Sequence, residues 1–493
     1  MAFTPDEIIQ GMMANLRMLF EHDIEGATVP VDEKERDHVV VWAFPGVPYQ
    51  PDDLAFAEEL AIGEFEPKAG QEDAGEDISA IPANLADTLS PGGRLRLRLR
   101  QARVFSELVD FLPTRDLIYP GMGVSPPLST IMDVVLNHSQ IAKLPKADSE
   151  AVKVVLNQAQ AILDDKEKEE QYKIRKKEYR DALDALTVAR ITFETSESTA
   201  ATLAAQAKLK PLHEDLMDAI MSWNGRGFRE EIENAKAHIA SAAKEDLVQW
   251  RDRVKQKYDG ATAISVEASV FNEFKYTSLF PTKFLNSNNG WTNYSYSESQ
   301  QARSFGKKIT RFGGEVSVLG YFRSSANDRR EKVNITSKSE QFSISMRVAE
   351  VAISRPWLDS IFLESHAWRF GPGAGSVFNV FELSDGERPP TGSMIGYSTS
   401  IIFAKDIVIE TSDMLTNSDT YKTEFAAGGG LSLGPISLGI GGSGSSQSQT
   451  TDVSFKFENG RLTVEGMQVI GFRCRLLNKA PDPLEESNGI VFI

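Results

Sequence analysis

The sequence predicts an α+β multidomain protein built from three successive regions. Two observations support this fold class. The spacing of apolar residues changes near Gly260 from a helical period of about 3.6 to a strand period of about 2. The chain also has 493 residues, 41% of them hydrophobic and 25% charged, which is enough for several cores. We expect a mixed α/β region over 1–125, an antiparallel helical bundle with coiled-coil character over 126–260, and an antiparallel all-β domain rich in Ser, Thr and Gly over 261–493.

The first region opens with a helix start signal. Thr4, Pro5 and Glu7 match a capping box with proline at the first helical position. The segments His38 to Phe44 and Pro51 to Ile62 read as a buried strand and a short helix. The apolar residues after the capping box recur at helical spacing and predict an amphipathic helix: Ile8, Ile9, Met12, Met13, Leu16 and Phe20.

Arginine and leucine alternate strictly near the end of this region. Side chains of a strand alternate between its two faces, so the pattern predicts a strand with leucines on one face and arginines on the other. The arginine face is a candidate anion-binding strand for lipid headgroups, phosphate or the acidic surface of a partner. The alternative is a half-buried strand whose arginines are solvated or paired with the chain's many carboxylates. The four arginines are Arg94, Arg96, Arg98 and Arg100.

The second region has the pattern of long helices. Tyr172, Tyr179, Leu186 and Phe193 follow one another at steps of seven residues, within a highly charged sequence that leaves only a thin apolar seam. Two further helical stretches, 203–223 and 228–258, supply facing apolar stripes for an antiparallel bundle. This region either binds a protein partner or a second copy, or forms an ordinary intramolecular bundle.

The third region consists of alternating segments separated by turns, which predicts antiparallel strands. Its apolar residues change face between Val348 and Val351, which predicts a bulge near Ala349 and Glu350. Three aromatic residues follow, and they are expected either to close one edge of the core or to line an aromatic ligand pocket. They are Trp357, Trp368 and Phe370.

A glycine-rich stretch between Phe425 and Gly444 is the main functional candidate. A turn at Gly434 and Pro435 has glycine at its first central position, which permits the type II′ geometry that suits hairpins. Such a turn places Leu433 opposite Ile436 and gathers the large apolar side chains on one face, while the other face is small and polar. The apolar positions are Phe425, Leu431, Leu433, Ile436, Leu438 and Ile440.

Each predicted arm has the length of a transmembrane β-strand, roughly ten residues. Burying the six apolar side chains is worth on the order of 10 kcal/mol. A lone hairpin exposes unpaired edge amides to hydrocarbon, so insertion requires a closed ring of hairpins and therefore an oligomer. The alternative is a hairpin that packs its apolar face on the core of its own β domain, or a loop beside a partner.

No catalytic or metal motif stands out in the sequence. The six histidines include no pair spaced for a metal site, and neither a phosphate-binding loop nor a nucleophile elbow is present. The single cysteine, Cys474, is expected to be packed inside a strand. We therefore expect a protein that is not an enzyme and that needs no cofactor or metal, although an enzyme whose site is assembled from scattered residues stays an alternative.

Charge and terminal sequence limit the partners. A net charge of −17 argues against nucleic acid as a main partner. The amino terminus lacks a charged and then apolar leader, and no apolar run approaches the roughly 18 residues of a spanning helix. The sequence thus predicts a chain that is cytoplasmic at synthesis, without a signal peptide or transmembrane helix.

Two resemblances concern the third region. Ile353 to Leu358, Thr399 to Glu410 and Val464 to Phe472 resemble stretches of bacterial and fungal proteins of no assigned activity. The Ser/Thr-rich strands around a short amphipathic hairpin are similar in pattern to the stem of aerolysin-type pore-forming proteins. That resemblance implies a self-assembling, membrane-active protein whose partners are other copies of itself and a lipid membrane. A soluble scaffold or partner-binding module without membrane insertion is the alternative.

Overall fold

The computed structural model describes the elements of the fold and the segments that join several of them. The described residues are 38–49, 51–54, 91–124, 126–143, 159–195, 247–267, 270–280, 291–297, 342–371, 382–411, 430–433, 435–437, 455–458, 461–483 and 491–492, with single positions and short pieces within 11–20, 56–57, 157–158, 212–235 and 310–323.

Helices and a large antiparallel sheet together make this an α+β protein. Five helices have defined bounds among the described residues, and a short 3₁₀ helix covers Pro51–Leu54. We label the five in chain order: α1 Pro91–Val109, α2 Leu128–His138, α3 Lys166–Thr195, α4 Leu247–Gly260 and α5 Ser360–Leu363.

The described strands form one seven-stranded sheet and four smaller ones. The seven-stranded sheet has the order β1-β16-β12-β10-β5, with β15 also on β16 and β6 also on β10. The first six strands are β1 His38–Tyr49, β2 Ser139–Lys143, β3 Thr262–Glu267, β4 Val270–Lys275, β5 Ser278–Phe280 and β6 Thr292–Ser297. The remaining strands are β7 Thr310–Arg311, β8 Gly314–Glu315, β9 Phe322–Arg323, β10 Phe342–Ser354, β11 Trp368–Phe370, β12 Gly396–Thr411, β13 Gly430–Leu433, β14 Ile436–Ser437, β15 Phe455–Glu458, β16 Arg461–Leu476 and β17 Val491–Phe492.

Three long strands, β10, β12 and β16, form the centre of the large sheet, and pairs of short strands flank them. Strands β5 and β6 share the outer side of β10, while β1 and β15 share the outer side of β16. The register of β1 runs from His38 opposite Arg475 to Tyr49 opposite Met467. The predicted strand near His38 is therefore confirmed, and it belongs to the same sheet as strands near the carboxyl end of the chain.

Both faces of the large sheet are buried. The first face packs against helical residues near the amino terminus, as the predicted amphipathic helix requires, and the second packs against α1 and the β3–β4 hairpin. The first core includes Met12, Met13, Leu16, Phe20, Val40, Trp42, Ile344, Met346, Val348, Ile402 and Ile470. The second includes Val39, Val41, Phe56, Ala102, Phe105, Phe111, Val351, Phe403, Phe472 and Cys474.

The change of apolar face in β10 has a different cause from the one the sequence suggested. Val348 lies in the first core and Val351 in the second, because the sheet is covered on both sides and both sets of alternating positions are apolar. The bulge predicted near Ala349 and Glu350 is wrong. The register shift between β10 and β12 lies earlier, between Ser345 and Arg347.

The segment with alternating arginines is helix α1, so the predicted strand is wrong. Arg, Leu, Gln, Ala and Glu are all good helix formers, and the alternation covers less than two turns of a helix of 19 residues. Beyond Arg100 the apolar residues follow helical spacing: Ala102, Phe105 and Val109 are buried against the sheet. Packing of that later half decides the conformation of the whole segment.

A third core lies at one end of the sheet. Helices α2 and α4 pack there against aromatic residues that follow β10. The indole nitrogen of Trp357 donates to the Tyr276 carbonyl at 3.0 Å, and that of Trp368 donates to the Phe362 carbonyl at 2.9 Å. Phe370 packs against the same core. These three aromatic residues therefore close one edge of a core, which is the first of the two predicted alternatives.

The described side chains of helix α3 contact apolar residues around a helix end at Trp223. Tyr179 stacks on Trp223 with ring centroids 5.2 Å apart, and Tyr172 and Ile232 complete a small buried cluster. Gly227 is required here, because an added Cβ would lie 2.6 Å from the Trp223 carbonyl oxygen.

Among the described residues, no helix combines the length and apolar character needed to cross a bilayer.

Candidate functional site

The described part of the glycine-rich hairpin has the predicted register, over two opposed pairs of residues. Strands β13 and β14 pair antiparallel, with Ser432 opposite Ser437 and Leu433 opposite Ile436. Pro435 lies in the turn between them. The turn chemistry of glycine followed by proline explains this local fold.

A third strand extends the hairpin. Strand β9 pairs with β13, placing Arg323 opposite Gly430 and Phe322 opposite Leu431, so the three form a small sheet of order β14-β13-β9. The sequence does not predict this pairing, because pairing between segments so far apart in the chain has no local signal.

The hairpin is anchored in the core of the large sheet through Ile436. This side chain is fully buried, with 0% of its surface exposed, and belongs to the first core together with Trp42 and Ile470. Pro435 is buried as well. Ile436, one of the predicted membrane-facing residues, therefore packs against the protein's own sheet, as the alternative of a hairpin packed on its own β domain requires.

A glycine in β1 forms the seat for the hairpin tip. The register of β1 on β16 shifts between Trp42 and Val47, and Gly46 lies in this irregularity. A Cβ added to Gly46 would be 2.3 Å from the carbonyl oxygen of Pro435 and 2.9 Å from Oε1 of Gln468. Only glycine permits this approach of two backbones.

Sequence reasoning did not identify Gly46 as a site residue. The predicted strand ended at Phe44, because a proline followed by a glycine, at 45 and 46, usually marks the end of a strand. A glycine inside a strand pattern is nevertheless a known sign of a bulge or a close backbone approach. The sequence therefore contained a sign of a close approach at Gly46, but it did not show that Pro435 is the residue that approaches.

Several predicted hairpin residues lie outside the described part of the chain. The backbones of Leu431 and Leu433 are described, but their side chains are not. The predicted face of the hairpin is thus tested by the register and by Ile436. The residues outside the description are Phe425, Gly434, Leu438 and Ile440.

The arginines of α1 do not form one row. In a helix, residues two apart lie on opposite sides, so Arg98 is on the opposite side from Arg96 and Arg100, and the side chain of Arg94 is outside the described part of the chain. Arg100 is buried, and Arg96 and Arg98 are half-buried. Arg98 donates to Oε1 of Gln101 at 3.3 Å. The described arginines therefore do not form the single cationic face that the predicted strand would have had. Anion binding by these residues stays a prediction.

A buried guanidinium joins α1 to the large sheet. Arg355 donates to the Val109 carbonyl at the end of α1 at 2.7 Å, and to both the hydroxyl and the carbonyl of Ser398. Burial lowers the pKa of Arg355 to about 10. These contacts satisfy helix-end and strand groups, so the role of this arginine is structural.

Cys474 has no free access to solvent. It is fully buried in the second core, and burial raises the pKa of its thiol well above the ordinary value. The predicted packed cysteine is confirmed.

Ion pairs connect α3 to the sheet through Glu231. This carboxylate accepts from Lys168 of α3 at 2.7 Å and from Arg475 of β16 at 3.3 Å. Arg475 also lies 3.6 Å from Glu364, to which Asn478 donates at 2.7 Å. Burial raises the pKa of Glu364, while Arg475 and Asn478 oppose that rise. We call Lys168, Glu231, Arg475 and Glu364 the ion-pair joint.

Two features of the described residues bear on metal binding and catalysis. No group of three or more His, Cys, Asp or Glu residues there could hold a metal ion. An open depression of about 300 Å³ lies between the 112–115 segment and the 391–395 segment. Its lining includes Arg115, Thr391 and Ser393 but no carboxylate, histidine or cysteine, so it offers no acid–base pair.

Comparison with protein-family models, with curated proteins and with solved structures gives no match for this chain.

Proposed function

We propose that this chain is a non-enzymatic, self-assembling and membrane-active protein, similar in principle to pore-forming proteins, and that its glycine-rich hairpin leaves the core and enters a lipid bilayer. The observation that carries the proposal is the hairpin register, with Leu433 opposite Ile436, together with the burial of Ile436 in the sheet core. A hairpin with one apolar face, packed against the protein's own core, could exchange that contact for contact with the lipid of a bilayer.

The energetics favour insertion only for an assembly. The six apolar residues between Phe425 and Ile440 are worth on the order of 10 kcal/mol in hydrocarbon. Removing Ile436 from its own core offsets part of that gain, since the same side chain is already buried. Unpaired strand edges cost several kcal/mol per group in lipid, so only a ring of hairpins avoids the penalty. The partners are therefore other copies of this chain and a membrane.

Dye release from liposomes tests this function. The intact chain is expected to release a trapped dye from vesicles of at least one lipid composition or pH, while a chain lacking Leu431 to Ile440 releases none. The exposed substitution Val124→Ala is the control that retains release, because 72% of Val124 is exposed and it makes no core contact. Absence of release under all conditions, with monomeric sedimentation throughout, would overturn the proposal.

The second candidate is a soluble scaffold or partner-binding module. It is favoured by α3, a 30-residue helix whose outer surface is highly charged and on which Ile174 is 42% exposed. We propose that α3 and the helical residues around Trp223 belong to an antiparallel bundle with coiled-coil character. The stacking of Tyr179 on Trp223 and the burial of Ile232 support this arrangement.

Two measurements separate the candidates. A scaffold remains soluble and causes no dye release, and removal of Leu431 to Ile440 does not change its binding to a partner. In the membrane-active protein, the same deletion abolishes release while α3 keeps its protection from hydrogen exchange.

A further inference from the structure

We infer that copies of this chain assemble by exchanging the β13–β14 hairpin, so that the hairpin of one copy occupies the seat of another. The seat consists of Gly46 in β1, the first core around Trp42 and Ile470, and the β9 edge at Phe322. The occupant is residues Gly430 to Ser437 of a second copy. This inference rests on the self-assembly part of the proposed function and gives it a contact surface.

The exchanged contacts are the same as the internal ones. In the described state, the seat binds the Pro435 turn by backbone approach to Gly46, holds Ile436 in the core, and pairs Leu431 with Phe322. A hairpin of identical sequence from a second copy restores each of these contacts without strain. Exchange of an identical element is therefore a low-cost route to a dimer or a ring.

The connections on both sides of the hairpin are long enough for exchange. Residues 412–429 lie between β12 and β13, and residues 438–454 lie between β14 and β15. A connection of this length spans at most about 60 Å when extended. The radius of gyration expected for a compact chain of this size is about 23 Å, so the hairpin can reach the seat of an adjacent molecule.

The seat and the hairpin can be disabled separately, which gives a complementation experiment in the absence of lipid. Gly46→Val blocks the seat, because its Cβ collides with the Pro435 carbonyl, but leaves the hairpin intact. Ile436→Asp disables the hairpin, because a carboxylate cannot replace a fully buried side chain, but leaves the seat intact. Each variant alone is expected to sediment as a monomer, and an equal mixture is expected to shift to twice that mass.

A second measurement leaves both Gly46 and Ile436 unchanged. In a Cys474→Ala background, Leu431→Cys in one copy and Phe322→Cys in another place thiols on directly opposed strand positions only when the hairpin has been exchanged. Oxidation of the mixture is expected to give a covalent dimer. Leu431→Cys mixed with Val124→Cys is the control that gives none, since residue 124 is not a strand partner of residue 431.

The outcomes are decisive for exchange and independent of membrane activity. A covalent dimer supports exchange even when the two blocking variants fold poorly. The inference is overturned when the double variant Leu431→Cys, Phe322→Cys forms its disulfide within one chain but the mixed single variants give no dimer. Dye release without exchange would refute this inference alone, while exchange without dye release would refute the membrane function alone.

Discussion

At the scale of single residues, Ile436 and Gly46 decide how the hairpin is held. One contributes a buried side chain to the first core, and the other contributes the space for the Pro435 carbonyl. The two act on the same turn from different sides. A change at either residue should release the hairpin without removing any strand of the large sheet.

Ile436→Ala is expected to lower the free energy of unfolding of the hairpin region by about 2–5 kcal/mol, the range for a large-to-small change in a core. The reason is the cavity left beside Trp42 and Ile470. Hydrogen exchange at β13 and β14 measures the effect. Ile174→Ala is the matched control, with little change expected because that side chain is 42% exposed. Equal effects of the two substitutions would show that Ile436 does not anchor the hairpin.

Cys474 predicts a loss of stability at alkaline pH. Its thiol pKa is raised in the folded chain, so the folded state keeps the proton that the unfolded state releases near the ordinary pKa of about 8.5. The stability is therefore fully present below about pH 8.5 and is lost above it, by at most about 1.4 kcal/mol per pH unit. Urea unfolding between pH 7 and 9.5 measures this slope.

Cys474→Ala provides the control for that slope. The variant loses some packing at every pH, but its stability should fall less steeply than that of the parent between pH 8.5 and 9.5, the window below the ordinary pKa of tyrosine near 10. Parallel curves for the two proteins would contradict the assignment of the slope to the buried thiol.

At the scale of elements, the sequence predicts best where the cause is local. Glycine and proline at 434–435 dictate a turn, and the hairpin register follows from it, so this prediction is confirmed from Ser432 to Ser437. The strand assigned to the arginine-rich segment is wrong. The alternation of arginine and leucine is short, and burial of Ala102, Phe105 and Val109 against the sheet stabilises a helix over the whole segment.

The ion-pair joint connects helix α3 to the sheet. Glu231→Gln removes the carboxylate that joins Lys168 of α3 to Arg475 of β16, while Arg475 keeps its contact with Glu364. We expect a loss of about 1–2 kcal/mol in the docking of α3, because hydrogen bonds to charged groups are worth more than exposed pairs. Faster hydrogen exchange over 166–195 is the measurement.

An exposed pair on the same helix supplies the matched control for Glu231→Gln. Asp181→Asn removes the partner of Lys177, and both side chains are more than half exposed. Little change is expected from this substitution. If it accelerates exchange as much as Glu231→Gln does, the joint does not hold the helix.

At the scale of the whole molecule, the large sheet unites segments from both ends of the chain. Tyr49 pairs with Met467, and no local pattern could have revealed this, since each strand reads as an ordinary buried strand. The same limit applied to the seat of the hairpin, where Gly46 meets Pro435 only after the chain has folded. The hairpin turn was therefore predictable from the sequence, whereas the seat in which it packs was not.

The proposed function requires that the hairpin leave its seat, so that its apolar face exchanges contact with the sheet for contact with lipid. The proposed membrane insertion requires the strand period of two in the hairpin. This period places positions 433 and 436 on one side and positions 432 and 437 on the other. If the proposed insertion occurs, the same alternation is expected in the bilayer.

The most direct test attaches a fluorophore to one hairpin position at a time, on liposomes that contain a lipid-borne quencher. The variants Leu433→Cys, Ile436→Cys, Ser432→Cys and Ser437→Cys are each made in a Cys474→Ala background. The account predicts strong quenching at 433 and 436 and weak quenching at 432 and 437. Equal quenching at adjacent positions, or none at all four while the protein is bound to the vesicles, would contradict it.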